Sequence, residues 1–269
     1  MLNSRIRILG LVLLAISSTA WADLDPGSPT VFITGANRGI GLEFVQQYAA
    51  RGWNVVATAR NPAKAEQLQT LADSHEHVVI EQLDVTDFTR IDELATKYTE
   101  QTIDILISNA GLTPKYKSAF KRVSGVDWDI ARMSMEVNAI APLKLAQTFM
   151  DAVAASEQKK MIMISSKGGS FEVSPKMPMM YSYRASKAAL NMYMYTLAFE
   201  TPKKGVILTL LSPGQVNTME DIERFKGIKI PNTIETDESV SKMLKVIDGL
   251  TPEDNGKFLN YEDGTVVPW

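Results

Sequence analysis

Tyr183 and Lys187 stand four residues apart in the stretch Tyr-Ser-Tyr-Arg-Ala-Ser-Lys that runs from Tyr181 to Lys187. On a helix that spacing puts both on one face. A phenol is a poor acid at neutral pH, with a pKa of roughly 10. An ammonium fixed beside it stabilises the phenolate and draws the pKa toward the working range. The pair can therefore move a proton to or from an alcohol or a carbonyl. A packed ring and a solvated amine share that spacing, so the pair gains weight only from the segments that precede it.

The first of these is a glycine turn. Thr30 to Thr34 reads as a buried strand and runs into Gly35-Ala36-Asn37-Arg38-Gly39-Ile40-Gly41. Leu42 to Ala50 then suits a helix, with Leu42, Val45 and Ala49 on one face. Strand, glycine turn and helix form the context of a dinucleotide site. Glycines let backbone approach a diphosphate, and the helix N-terminus offers free N–H groups and a positive dipole. The spacing here is Gly-x-x-x-Gly-x-Gly rather than the commoner Gly-x-Gly-x-x-Gly. The second strand, Asn54 to Ala59, ends at Arg60 without an acid. A carboxylate there reads a ribose 2′-hydroxyl, whereas an arginine accommodates a 2′-phosphate. With Arg38 as a second cation, NADP is expected over NAD.

The other chemistry-bearing residues follow apolar runs. Asp84 comes just after the strand Val78 to Leu83 and is placed to accept from an adenine amino group. Asp87 reads more simply as the cap of a helix starting near Thr89. Asn109, Ala110 and Gly111 follow the strand Ile103 to Ile107. Met135 to Ala155 suits a long helix, with Asn138 in its first turn. Ser165 and Ser166 follow the strand Lys160 to Ile164, and Pro213, Gly214, Val216 and Thr218 follow the strand Ile207 to Leu211. Five or six apolar strands alternating with helices predict an α/β fold: one Rossmann-type, doubly wound parallel sheet covered by helices on both faces. Ligands of such sheets sit at the carboxyl ends of the strands, where these residues fall.

Composition narrows the class. The chain has 269 residues, 45% hydrophobic and 22% charged, which suits one domain with a sizeable core. It has no cysteine, so disulfides and thiolate chemistry are excluded. His75 and His77 read as solvated loop residues, and no metal set is expected. Residues 1–22 carry a basic start at Arg5 and Arg7, a short apolar run and the triplet Ala20-Trp21-Ala22. This fits a secretory signal peptide. The expected products of the chain are then a signal peptide (1–22), a linker (23–29) and a Rossmann-type domain (30–269). Cleavage implies export to the periplasm; an uncleaved segment would anchor the protein, and a later start would leave it in the cytoplasm. Without residues 1–22 the balance is 26 basic against 31 acidic residues, −5. An acidic chain is a poor candidate for binding nucleic acid or an anionic membrane.

Taken in order, Thr34-Gly35-x3-Gly39-x-Gly41, Asp84, Asn109-Ala110-Gly111, Asn138, Ser165-Ser166, Tyr183-x3-Lys187 and Pro213-Gly214 resemble the short-chain dehydrogenases/reductases. The resemblance covers nearly the whole chain beyond residue 30. The wording Tyr-Arg-Ala-Ser-Lys-Ala-Ala-Leu-Asn and the tail from Leu250 to Trp269 bring it nearest the C-factor and sniffer-type carbonyl reductases. The resemblance implies a carbonyl or alcohol substrate and an NADP cofactor. It implies Tyr183 as general acid, Lys187 as its partner and as a holder of the nicotinamide ribose, a seryl hydroxyl on the carbonyl oxygen, and Asn138 holding a relay water. The second serine of such a pair, Ser166, is the expected one. Tyr181 is no rival to Tyr183, because the residue four on is Ala185. The family often pairs subunits through its long helices, so a homodimer is expected.

Two further expectations concern the substrate. Met177, Met179 and Met180 lead into Tyr183 and either line a permissive pocket or pack their loop onto the core. Met219 to Thr233 falls where the family has a substrate-covering segment. A nucleotide-binding signalling protein of the C-factor type on the same scaffold is the alternative to an enzyme.

Overall fold

The computed structural model describes residues 24–113, 120–217 and 233–269. The expected signal peptide, Thr218 and the segment 219–232 lie outside these residues. Among the described residues no helix is long and apolar enough to cross a membrane.

The chain begins in the middle of a sheet. β1 (Thr30–Ile33), β2 (Asn54–Ala59) and β3 (Val78–Gln82) step outward in one direction, with α1 (Gly39–Ala50) and α2 (Glu66–Asp73) as crossovers. After α3 (Phe88–Lys97) the chain returns past β1 to β4 (Ile105–Ser108) and builds the other way. α4 (Trp128–Met135) and α5 (Ala141–Ala154) lead to β5 (Lys160–Ile164), and α6 (Tyr181–Leu197) leads to β6 (Ile207–Ser212). Beyond β7 (Val216–Asn217) and β8 (Ile234–Glu235), a small parallel pair, α7 (Thr236–Asp248) precedes β9 (Phe258–Asn260). The main sheet has the order β3-β2-β1-β4-β5-β6-β9 and is parallel throughout. Its order reverses between β1 and β4, where the carboxyl ends open a crevice.

Alternation along the strands makes two cores. Phe32, Leu106, Met161 and Leu208 face α5 and α6. Val31, Ile33, Ile105 and Ile162 face α1 and α7. Successive side chains of a strand point to opposite faces, so a strand covered on both sides must be apolar at every position. β5 breaks this rule at Lys160, which is buried. Its ammonium donates to the carbonyls of Ile247 (2.8 Å) and Asp248 (3.3 Å), the last turn of α7. A cation there meets unsatisfied carbonyls and the negative end of the helix dipole. Burial holds its pKa below the ordinary lysine value, and the nearby Asp248 partly offsets this.

Five expectations need correction. A seventh strand, β9, extends the sheet beyond β6, with Leu210 opposite Phe258 and Leu211 opposite Leu259. The helix expected from Met135 starts earlier, at Trp128, because the Asp127 carboxylate accepts from the N–H groups of Asp129 and Ile130 and caps it. Between α4 and α5 the backbone widens into a π turn, Glu136–Ile140, so Asn138 lies mid-helix and is fully buried. The segment before β1 is no free linker. Leu24 is buried, and Asn54 donates to the carbonyls of Asp25 (2.8 Å) and Ser28 (2.9 Å) while accepting from Asp25 N (2.9 Å). Finally, His75 and His77 are only partly exposed, and His75 Nδ1 lies 3.0 Å from the Leu71 carbonyl. Asp87 caps α3 as expected, accepting from Arg90 N at 3.0 Å.

Phe149 on α5 packs fully buried against Phe32 of β1, ring centroids 4.6 Å apart. Phe149→Ala should cost about 3–5 kcal/mol, the usual range for opening such a void. A urea melt checks this: the midpoint should fall while the slope stays constant.

Candidate active site

The crevice is built from backbone first. Gly35 (φ +67°) and Gly39 (φ +54°) adopt left-handed conformations that other residues rarely take. A Cβ on Gly41 would sit 2.2 Å from the Gly35 carbonyl oxygen and 2.5 Å from Asn109 Nδ2. The turn is thus closed on itself, and glycine is required for that approach. Asn109 completes it. Its Nδ2 donates to the carbonyls of Thr34 (3.0 Å) and Gly35 (3.1 Å), and its own N–H donates to Thr34 Oγ1 (3.0 Å). Thr34 Oγ1 also accepts from Ala110 N (3.1 Å). Both protons of the Asn109 amide thus brace the end of β1 against the end of β4. Thr34 was missed as the other half of this brace, although the Thr-Gly pair is visible in the sequence.

The N-terminus of α1 is open. Arg38 occupies the cap position in extended conformation, no side chain caps the helix, and its first turn carries no acid. Asn37 and Ile40 are half-buried in this turn. Arg38 and Arg60 are exposed, the latter at the end of β2, where no carboxylate stands. Asp84 is exposed after β3, and its Oδ1 accepts from Thr86 N (3.1 Å) and Thr86 Oγ1 (2.8 Å). The open helix end fits a diphosphate.

The residues expected to transfer a proton sit near the ends of β4 and β5. Lys187 is buried, and its ammonium donates to the Ile164 carbonyl at 2.8 Å. Nζ lies 6.0 Å from the centre of the Tyr183 ring. Burial alone pushes the Lys187 pKa down, to about 8. The approach of α6 depends on Gly169, where a Cβ would lie 2.7 Å from the Lys187 carbonyl carbon. Ser165 and Ser166 divide cleanly. Ser165 Oγ is buried and donates to Asn191 Oδ1 at 2.6 Å. Ser166 Oγ accepts from Gly168 N (3.1 Å), and both it and the Tyr183 ring crowd the space beside Gly168. The structure thus brings Ser166, Tyr183 and Lys187 together and leaves Ser165 in the core.

Asn138 is engaged on every side. Its Oδ1 accepts from Leu112 N (2.7 Å), and its Nδ2 donates to Leu112 O (2.9 Å) and Ser186 Oγ (2.9 Å). Ser186 in turn donates to the Tyr183 carbonyl at 2.8 Å. The side chain of Asn138 therefore positions the first turn of α6 and has no donor left for a water.

Past β6, Pro213 is buried, Gly214 (φ +82°) packs on the Tyr261 ring, and Val216 is buried in β7. Gly111 is exposed after β4. A cleft beside Tyr183 is lined by Lys121, Gly125, Val126, Asp127, Ile130, Met180, Tyr181 and Ser182. It measures about 30 Å³. Of the three methionines, Met180 lines it and Met177 is exposed. Sequence reasoning missed its other wall, because Gly125 to Ile130 carries no motif. A larger cavity of about 200 Å³ around Trp53 and His75–Val78 lies at the opposite, amino ends of β2 and β3 and contains none of these groups.

The model of the short chain dehydrogenase family matches residues 29–228. The chain belongs to the short-chain dehydrogenase family. An oxidoreductase from Schizosaccharomyces pombe is 34% identical over 252 residues, spanning 88% of this chain and 97% of the relative. The C-signal protein of Myxococcus xanthus is 33% identical over 177 residues, 65% of this chain and 98% of its own. Among solved structures, the NADPH-bound carbonyl reductase from chicken fatty liver has 33% identity and a TM-score of 0.80, covering 90% of this chain and 99% of that one. The carbonyl reductase Sniffer of Drosophila melanogaster has 27% identity and a TM-score of 0.78, covering 90% and 100%. As a short-chain dehydrogenase of the carbonyl-reductase kind, the chain is an NAD(P)-dependent oxidoreductase.

The buried Lys187 predicts a pH dependence of stability. Unfolded, the lysine keeps its proton to about 10.5; folded, only to about 8. Between these values the unfolded chain binds more protons, so stability should rise with pH from about 8 to about 10.5. Below pH 8 the burial penalty is present in full. Lys187→Met should remove this rise, a relative change on the order of 1–3 kcal/mol. Urea titrations of both proteins from pH 7 to 10 check it; a constant difference would mean that the ammonium is not buried.

Proposed function

We propose that the chain is an NADP-dependent carbonyl reductase in which Tyr183 is the general acid. The observation that carries this reading is the convergence of Ser166, Tyr183 and the buried Lys187 at the ends of β4 and β5, beside the open N-terminus of α1. When bound, reduced nicotinamide supplies the hydride, and the chain supplies orientation and the proton. Ser166 Oγ would donate to the carbonyl oxygen of the substrate and hold it toward Tyr183. Tyr183 would protonate that oxygen as negative charge develops on it. Lys187, fixed by the Ile164 carbonyl and without a carboxylate partner in the described residues, would favour the phenolate left behind. Low dielectric around the buried ammonium strengthens this effect. Asn138 and Ser186 are positioning residues, because they set the first turn of α6 and touch no reacting atom.

The cofactor choice rests on Arg38 and Arg60 and on the missing acid at the end of β2. NADP over NAD is also in keeping with the NADPH named for the chicken enzyme. The N-terminal amides of α1 would take the diphosphate, and Arg60 would lie near the 2′-phosphate.

The test is nicotinamide binding and turnover in one preparation. NADPH should bind at least tenfold more tightly than NADH, and Arg60→Ala should narrow that ratio. Turnover with a panel of aldehydes and ketones should fall a hundredfold or more in Tyr183→Phe, within the range general acids contribute. Binding without any turnover would favour the signalling alternative. Equal affinity for both nucleotides would overturn the NADP assignment.

A further inference from the structure

The wall of the cleft carries a charge that catalysis does not use. Lys121 lines it together with Tyr183, and its aliphatic stem lies along Gly125, where a Cβ would meet Lys121 Cδ at 3.1 Å and Cβ at 3.2 Å. Among the described residues Lys121 makes no ion pair. The other charged group in the wall is Asp127. Its Oδ1 is held by two N–H groups at the start of α4, so the helix end already serves as its counter-charge. The adjoining loop and helix start add to the positive side. From Ser166 to Lys187 the chain has Lys167, Lys176, Arg184 and Lys187 against Glu172, a balance of 4 − 1 = +3, in a protein whose net charge is −3. Arg184 holds the loop through the Met177 carbonyl (3.0 Å) and Ser174 Oγ (2.8 Å), with no carboxylate partner among the described residues. Lys167 follows Ser166 directly and is exposed.

The remaining lining gives the shape of the ligand. Val126, Ile130 and Met180 are apolar, and Tyr181 presents an aromatic ring. With Asp127 engaged by the start of α4, the Lys121 ammonium beside these apolar and aromatic side chains has the chemistry of a site for an apolar or aromatic body ending in an anion. We propose that the substrate is an aromatic or aliphatic aldehyde or ketone bearing an anionic group, with Lys121 as the residue that receives the anion. This deepens the carbonyl-reductase reading and rests on it for the location of the carbonyl. Lys121 sets specificity and takes no part in proton transfer. A cationic or neutral substrate would leave the ammonium without a role, and a cation would meet repulsion from it.

The experiment uses a matched pair: 4-carboxybenzaldehyde and methyl 4-formylbenzoate, with NADPH, on the wild type, Lys121→Met and Lys121→Arg. The wild type should prefer the acid over the ester by about tenfold in kcat/KM, carried by KM. Lys121→Met should abolish that preference, Lys121→Arg should keep most of it, and added salt should shrink it. In parallel, benzoate and benzamide are titrated calorimetrically into the NADP-loaded proteins. Benzoate should bind the wild type and Lys121→Arg at least fivefold more tightly than Lys121→Met, with benzamide showing no such difference. An ester preference in the wild type, or equal losses on acid and ester in Lys121→Met, would overturn the proposal while leaving the reductase reading intact. If neither aldehyde is turned over, the reductase reading is in question and the titration decides: Lys121-dependent benzoate binding supports the anion site, and its absence overturns it.

Discussion

A buried ammonium without a carboxylate partner among the described residues is the constraint around which the site is arranged. Lys187 has one described partner, the carbonyl of Ile164 at the last position of β5. A charge in that position carries a desolvation cost of several kcal/mol, and a single carbonyl offsets only part of it. The bond can form only if α6 comes close to the end of β5. That requires Gly169, since any side chain there would collide with the Lys187 backbone. It also requires the first turn of α6 to be held from the other side, which Ser186 and Asn138 do by linking the Tyr183 carbonyl to Leu112. The π turn follows from the same demand, since an asparagine facing inward from mid-helix must find three partners.

The brace at the other end of the crevice works on the same logic. Asn109 and Thr34 tie the ends of β4 and β1 so closely that Gly41 touches the Gly35 carbonyl. The turn therefore holds its shape through side chains of the fold and leaves the first amides of α1 without a side-chain acceptor. A helix end with unsatisfied donors and no acid in its first turn is suited to an anion. The two halves of the crevice share β4, so a shift at Asn109 would move Leu112 and, through Asn138, the turn that carries Tyr183.

Much of this was legible in the sequence, and the reasons for the rest are physical. Strands buried on both faces must be continuous apolar runs, so β1, β2, β4, β5 and β6 stand out, and the residues after each run land at the crevice. β9 has only three residues in a tail of turns, and its register comes from β6 rather than from its own pattern. The π turn leaves no trace in periodicity, because its cause is the distant Leu112 and Ser186. Ser165 and Ser166 look alike in the sequence. In extended backbone, neighbours point to opposite sides, so one had to face the core; Asn191 on α6 determines which. Segment 24–29 looks like a linker by composition, yet a single buried amide, Asn54, fastens it.

Burial of Lys187 also bears on why the chemistry is retained. A scaffold that only held a nucleotide would gain stability by replacing this lysine with an apolar side chain of similar volume, since the cost of the charge would vanish and the carbonyl of Ile164 could relax toward another donor. Nothing in the packing of α6 calls for a cation: Leu190, Met194 and Leu197 anchor the helix on the sheet. The cation makes sense only together with the phenol four residues before it and the hydroxyl of Ser166 beside that phenol. Ser165, one residue earlier, shows what the fold does with a serine it needs only for structure: it buries the hydroxyl and gives it a partner at 2.6 Å. Ser166 is instead left half-buried, taking one backbone N–H with its oxygen and keeping its own proton available next to Tyr183. On the proposed reading, stability is given up here because a proton donor, its orienting hydroxyl and its counter-charge meet, a pattern common at active sites.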